Sequence, residues 1–572
     1  MSSVFFNGRL WVSPSTMSVV DDSALANQNL STGNIVALIG PSEGGEPNKA
    51  LRFGSPSEAM AALRGGDLLT AILKAFDPSA QTNGPSTIVA VRVNPASRAS
   101  LNLQDGNSQD VISLVSTDYG AYTNQIKIKV ETGSSSGKKV TTQFGNDFFA
   151  QDNISRNAFQ VQYDGAQPTA VITTTGSSVI LQAPSGSTVA TIDLSVYKTM
   201  LQVVDRINAV SGFSAAVLDG NDAKISLNGL DYVTAVDVKT AVYAVTADLQ
   251  AVIDWINDTS EGYLTATRAT DAGAVPANVS FVYLSGASDG SITNGDWSNA
   301  YTTLQTEDVQ WVAPISSDPS IHAMNDAHCA FMSTVARAER RGIVGTALGT
   351  SDDDAITAAK ALNSDRSSLI HLGFYDYNPD GVLTLFPPYI TAALIAGAFS
   401  GVNPGTSLTN KSIKVRGLER NLRNPTDTDP LIQGGVLCIE NTPSGYKVVK
   451  SITTWLANTN FNRVEVSVGA AADFVSRSLR TALDVLRGEK SSPTTLARAA
   501  SITDSTCREL ARPEPQGPGV IVGDANNPAY KNINVSLAGD VLRVEVQVAL
   551  VIPTNYIPIS IFAVPFSGSV SA

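Results

Sequence analysis

A nucleotide-binding loop is the first chemistry to test for after an apolar strand, and the segment from Gly40 to Gly45 (GPSEGG) carries the glycines for one. Glu46 and Pro47 stand where such a loop needs its lysine and hydroxyl residue, and a carboxylate there repels phosphate. The segment reads as a tight strand-to-helix turn. Gly342, Gly345 and Gly349 fail as a dinucleotide fingerprint for a similar reason: Asp352, Asp353 and Asp354 occupy the helix start that would receive a pyrophosphate, and acidic residues there are ordinary helix caps. Gly133 to Gly137 matches GxSxG with Ser135 at its centre, but Lys138, Lys139 and a Thr-rich stretch follow where a nucleophile elbow needs a helix. It reads as a polar hairpin loop.

The histidines are His322, His328 and His371. The first two are six positions apart and cannot chelate from one helix face, and His371 sits in an apolar run where a packed imidazole is expected. Cys329, Cys438 and Cys507 are too widely spaced for a zinc site and odd in number, which suits a reducing compartment. No residue is therefore assigned as catalytic, cofactor-binding or metal-ligating, and no cofactor is expected.

Two constellations point to contact with other chains instead. In the helical stretch 471–487, Phe474, Val475, Leu479, Ala482, Leu483 and Leu486 form one face, while Arg477, Arg480 and Arg487 recur with Asp484 on the other. In an acidic protein that stripe is a candidate contact for an acidic partner. The second constellation is the pair of chain ends. Val4, Phe5, Phe6, Leu10, Trp11 and Val12 at one end, and Ile557, Ile559, Ile561 and Phe562 at the other, lie in short extended segments expected to be too short to pair within themselves. Burying each large side chain gains about 1.5–3 kcal/mol, so these ends should seek a neighbour's sheet.

The elements that must hold these residues follow an α/β pattern. NIVALIG from Asn34 predicts a strand, 57–76 a helix, and IVAVRV at 88–93 a second strand of unbroken hydrophobicity, covered on both faces. Between 101 and 280 the composition shifts to Thr, Ser, Val, Asp and Gly with turn clusters, predicting a β-rich insertion that holds 18 acidic against 10 basic residues. From 281 to 440 strands and helices alternate again, predicting a parallel, doubly wound sheet; YITAALIAGAF at 389–399 is a buried helix, about half the ~20 residues a membrane span needs. In the last third VLCIENT, YKVVKSITTW and RVEVSVG predict strands, 471–487 and 494–511 helices, and INVSLAG with DVLRVEVQVALVIP a hairpin. Leu542, Val544, Val546 and Val548 alternate there with Arg543, Glu545 and Gln547, as in a half-buried strand.

The fold class expected is therefore a multidomain α+β or α/β chain: a doubly wound α/β core, a β-rich insertion domain, and extended N- and C-terminal arms. The divisions are an arm at 1–22, an α/β core segment at 23–100, the outward insertion at 101–280, an α/β domain at 281–440, a C-terminal core domain at 441–553 and an arm at 554–572. A chain of 572 residues, 43% hydrophobic and 16% charged, is long enough for several cores. Its formal charge of −13 argues against nucleic acid as a main partner. The N-terminus lacks the basic and apolar regions of a secretory signal.

The block from GNIVALIGPSEGGEP through IVAVRV, together with GVLCIENTPSGYKVVKSITTWLA, FNRVEVSVGAAADFVSRSLRTAL and DVLRVEVQVALVIPTNYIPISI, resembles the contractile-tail sheath proteins of myovirus-type bacteriophages. The resemblance covers about 1–95 and 281–572, with 101–280 in the place of that family's variable outward insertion. It implies a non-enzymatic subunit of a virion tail sheath, assembled in the host cytoplasm. Such subunits stack as hexameric rings around a tail tube and contract to drive it through the bacterial envelope during genome delivery. It further implies that the arms cross to neighbouring subunits and complete a sheet there, and that the 471–487 helix faces the tube, with Arg477, Arg480 and Arg487 as the expected tube contact. Partners would be further copies of the chain, the tail tube protein, and baseplate and tail terminator proteins, without direct nucleic-acid binding or membrane insertion. The sheath of a phage-derived bacteriocin or another contractile injection system shares these mechanics. From the residues alone, a cytosolic α/β enzyme with a β-rich accessory domain stays open.

Overall fold

The computed structural model describes residues 4–6, 9–11, 35–260, 262–564 and 568. Its centre is a six-stranded sheet of β1 (Ile35–Gly40), β2 (Ala50–Phe53), β3 (Thr87–Arg92), β4 (Trp311–Pro314), β5 (Arg341–Gly345) and β6 (Ser367–Ile370). The spatial order is β6-β5-β4-β1-β3-β2, parallel throughout except for β2 at the edge. Val36, Leu38, Ile88 and Ala90 enter one hydrophobic core, whereas Ala37, Ile39, Val89 and Val91 enter another on the opposite face. Burial on both faces is what the unbroken apolar runs required.

The helical stretch expected over 57–76 is two helices, α1 (Pro56–Leu63) and α2 (Asp67–Phe76). Ser55 caps α1 and Pro56 starts it; Arg64 and Gly66, both at positive φ, turn the chain between them. On the second half of the sheet lie α3 (Asn294–Leu304), α4 (Pro319–Thr334), α5 (Asp352–Leu362) and α6 (Pro388–Ser400). As expected, α6 is a buried helix, with all of its residues but Tyr389 out of solvent. Its Phe399 stacks on Trp311 of β4 with centroids 4.7 Å apart. Gly397 lets α6 approach α2, since a Cβ there would stand 2.2 Å from the Ala75 carbonyl.

The β-rich insertion between β3 and α3 holds two cores rather than one. The first is built from both ends of the segment, including Ile112, Leu114, Ile128 and Val140 together with Val252, Ile256 and Leu264. The second, around Phe159, Ile172, Leu181 and Val203, lies between those ends in sequence. Arg92, at the end of β3 and fully buried, holds the insertion to the sheet. It donates to the carbonyls of Gly45 and Tyr119 (each 2.9 Å), to Asn94 Oδ1 (3.0 Å) and to Asp289 Oδ1 (3.1 Å). Asn94 Nδ2 donates in turn to the carbonyls of Ser42 and Asp289. Arg92 and Asn94 thus bind the entering and leaving linkers and the Gly40–Gly45 turn into one knot.

Two sequence expectations are corrected. RVEVSVG is not a strand: residues 461–464 form a helical turn and, after extended Glu465, Val466 opens the long helix α7 (Val466–Leu483). The alternation of Val464, Val466 and Val468 with polar residues is a strand signal, but Val466 packs into the sheet core as the first residue of a helix, and that packing decides. The N-terminal segment is not too short to pair within itself either. Val4–Phe6 and Arg9–Trp11 form an antiparallel ladder from Val4↔Trp11 to Phe6↔Arg9, separated by Asn-Gly, the dipeptide that favours two-residue hairpins. Val12 lies outside the described residues.

Candidate functional site

None of the sequence's candidate chemical centres is built as a reactive site. The amides of the Gly40–Gly45 turn already have protein acceptors: Glu43 donates to the Gly65 carbonyl, Gly44 to that of Leu63 and Gly45 to Asp118 Oδ1, which leaves no phosphate cradle. Gly133–Gly137 is a loop between two antiparallel strands, its Ser135 and Ser136 amides donating to Asn153 Oδ1. Helix α5 is capped by Ser351, whose hydroxyl accepts from the Asp354 amide, while Asp352 meets His371 Nε2 at 2.9 Å and Arg420 from the other side. His322, His328 and His371 are all buried. Arg340 Nη1 donates to His328 Nε2 at 2.7 Å, and burial beside that cation brings the imidazole down to about 3. Burial raises the Cys329 thiol to about 12, and it raises the buried Cys438 as well. Among the described residues, no group of three or more His, Cys, Asp or Glu is placed to hold a metal ion, and no helix is long and apolar enough to cross a membrane.

The distinctive geometry is at the C-terminal end. After α7 come α8 (Pro493–Ala511) and a hairpin of β7 (Tyr530–Ala538) and β8 (Val541–Val548), paired from Tyr530↔Val548 to Ala538↔Val541. Leu542, Val544, Val546 and Val548 are the half-buried side of β8, and Arg543, Glu545 and Gln547 are exposed, the alternation read from the sequence. Val546, Val548, Leu550 and Val551 pack on a core of Ala471, Phe474, Val475, Cys507 and Leu510 from both helices, with Ile521 from the chain after α8. Tyr530 donates to Asp504 Oδ1 of α8 at 2.8 Å. Beyond β8 the chain runs beside 520–522, with Val551 donating to the Val520 carbonyl. Among the described residues no third strand pairs with β7 or β8, so both outer edges carry free ladder groups.

The C-terminal segment starts from this same place. Asn555 Nδ2 donates to Glu465 Oε2 (3.3 Å) and Lys450 Nζ to the Tyr556 hydroxyl (3.3 Å). Past them Ile557, Ile559, Ile561 and Phe562 are 75–89% exposed. Four large apolar side chains thus stand in water on the segment that follows the two-stranded sheet.

Of the arginines on α7 and just beyond it, Arg477 and Arg480 are turned inward. Arg477 Nη2 donates to the Glu339 carbonyl (2.7 Å), and Arg480 Nη2 to the Glu339 carboxylate (2.6 Å) and the Arg337 carbonyl (2.9 Å). Arg487, three residues after an exposed Asp484 with which it pairs, faces solvent. The inner face of α7 holds what the sequence did not single out: Asp473, between Arg341 of β5 and Arg366.

An α/β core interrupted by a large β insertion and ended by a helix pair under an open hairpin defines the class. It is the fold of the sheath tail protein from Listeria innocua, matched over 92% of this chain and 94% of that one with a TM-score of 0.56 at 15% identity. Residues 290–454 match the phage tail sheath protein central domain. The chain is 29% identical to the tail sheath protein of Bacillus phage SP01 over 99% of its own length and 98% of that protein's. It is 29% identical to a putative tail sheath protein of Enterococcus phage phiEF24C over 82% of its length and 84% of the other's. The resemblance to phage tail sheath proteins thus runs through the whole chain, insertion included.

Proposed function

We propose that this chain is the structural, non-enzymatic subunit of a contractile tail sheath, polymerising as stacked hexameric rings around a tail tube and contracting to drive the tube through a bacterial envelope during genome delivery. The observation that carries this reading is the β7–β8 hairpin, with which no third strand pairs among the described residues, followed along the chain by a segment of exposed apolar side chains. In the assembly, the arms at 1–22 and 554–572 add strands to the hairpins of neighbouring copies. Val4, Phe5, Phe6, Leu10, Trp11 and Val12, with Ile557, Ile559, Ile561 and Phe562, supply the buried side chains. The last four alone gain about 6–12 kcal/mol on burial, enough to offset much of the cost of ordering about eight residues. In the free subunit Val4–Phe6 pairs with Arg9–Trp11, and a lone two-stranded ladder is weak enough to be exchanged for a neighbour's strand.

The 471–487 segment meets the tube in this reading, with Arg487 the outward member of the arginine set and Arg477 and Arg480 fixing the helix through Glu339. The remaining partners are baseplate and tail terminator proteins, the finished sheath is part of the virion, and assembly takes place in the host cytoplasm. Contraction needs no nucleotide: a small gain per subunit, multiplied along the sheath, releases a kinetically trapped extended state. Electron microscopy of the purified protein tests the central claim. The full chain should form hollow sleeves, and chains lacking 1–20 or 554–572 should fold but remain dispersed. Sleeves that form equally well without either segment overturn arm exchange.

A further inference from the structure

The root of the C-terminal segment is fixed by a contact between two side chains distant in sequence. Glu465, 2% exposed, lies between the helical turn at 461–464 and α7. Its Oε1 accepts from Ser407 Oγ (3.2 Å) and its Oε2 from Asn555 Nδ2 (3.3 Å). The other end of the Asn555 carboxamide is unsatisfied: Oδ1 is buried and has no hydrogen-bond donor. A buried carbonyl without a donor is destabilising. In its acid form the Glu465 carboxyl can supply that donor, carboxyl and carboxamide then making a reciprocal pair, N–H to one oxygen and O–H back to Oδ1.

We infer that Glu465 and Asn555 form a proton-operated clasp at the base of the C-terminal arm, closed over the arm when the carboxyl carries its proton and loosening when the proton leaves. The charged group facing Glu465 is Lys450, on the chain after the 445–448 strand, and Lys450 is itself held by the Tyr556 hydroxyl and ring. Ser407, Asn555 and Ser467, the other side chains against the carboxyl, are neutral. Burial outweighs the Lys450 attraction and these hydrogen bonds and raises the carboxyl to about 6. An acid raised in the closed form stabilises closure below its ordinary value, and that contribution is lost as pH rises through about 6. Cavities of ≈460 and ≈630 Å3 flank residues 552–556, both lined by Asn555 and Tyr556, so the strap crosses open ground and depends on its few polar anchors.

The clasp gates the arm only if the arm-exchange reading above holds, but its chemistry stands apart from that reading and is tested on the unassembled full-length protein. Hydrogen exchange at Val551, whose amide is bonded to the Val520 carbonyl within the same strap, reports opening after correction for the intrinsic pH dependence of exchange. Protection should fall about tenfold between pH 5 and pH 8, the shift from an ordinary carboxyl to one near 6. Glu465→Gln, which carries a permanent donor and no charge, should be strongly protected at both pH values. Asn555→Leu should lose the pH dependence and be weakly protected throughout. Equal wild-type protection at pH 5 and pH 8, or a Glu465→Gln protein that keeps the full drop, overturns the clasp. A flat profile removes the clasp and leaves arm exchange standing; sleeves that ignore residues 554–572 remove arm exchange and leave the profile standing.

Discussion

Arg341 Nε and Asp473 Oδ2 lie 2.8 Å apart although 132 residues separate them, and this pair joins the central sheet to the C-terminal helices. Arg366 Nη1 reaches both Asp473 oxygens at 2.8 Å. Burial works against the charge on Arg341 and Asp473 sustains it. Gly469, one turn before Asp473, leaves room for the guanidinium, since a Cβ there would stand 2.3 Å from Arg341 Nη2. The contact ties β5 to α7, the helix on which the hairpin packs.

Asp473→Asn should therefore destabilise the chain by about 3–5 kcal/mol, because two poorly solvated guanidiniums lose their counter-charge. Chemical denaturation would show a lower midpoint, and Asp473→Glu should recover part of the loss. A midpoint within error of wild type would show that the two arginines find other acceptors.

Arg92→Met keeps the side chain's length and removes its donors. Four protein acceptors lose a charged donor at the root of the insertion, each such bond being worth about 1.5–3 kcal/mol, while Asn94 Oδ1 and Asp289 Oδ1 keep the Ser42 and Ala121 amides. The expected result is new protease cleavage in the linkers near 94–98 and 285–290, with the central sheet retained. Unchanged cleavage would mean that the Asn94 contacts suffice to hold the insertion.

Charge reversal should separate the arginines of the 471–487 segment by role. Arg480→Glu places a carboxylate against Glu339 and should lower stability by roughly 1–2 kcal/mol, Arg480 being partly exposed. Arg487→Glu should leave stability within about 0.5 kcal/mol and reduce co-sedimentation with tail tubes. Co-sedimentation equal to wild type would remove Arg487 from the tube contact.

His328 gives the fold an acid sensitivity. Its imidazole falls from the ordinary 6.5 to about 3 in the folded protein, so the unfolded chain takes up its proton first as pH drops. The stability present above pH 6.5 is progressively lost below it, by about 3 kcal/mol at pH 4. His328→Gln, still able to accept from Arg340, should show a stability difference between pH 7 and pH 4 smaller by that amount in denaturation curves. An identical pH profile for the two proteins would refute the assignment.

Much of the core was legible because it is local. NIVALIG and IVAVRV became β1 and β3, YITAALIAGAF became a buried helix, and the alternation from Leu542 to Val548 gave the exposed and half-buried sides of β8. The same local signal misled at RVEVSVG, where an alternating stretch became helix under tertiary packing, and at the N-terminus, where Val4–Phe6 pairs with Arg9–Trp11 despite the shortness of both strands. Arg477 and Arg480 show the limit of helical periodicity: it places them on one side of a helix and is silent on whether Glu339 waits there.

Hydrophobic period, turn residues and chain length determined the kinds of element, the α/β core and the apolar character of both ends, since each of these depends on neighbours within a few positions. The meeting of Arg92 with Asp289, Arg341 with Asp473, and Glu465 with Asn555 was decided by tertiary structure alone. A buried polar pair is selected by where two distant backbones bring it, and no pattern along the chain records that distance.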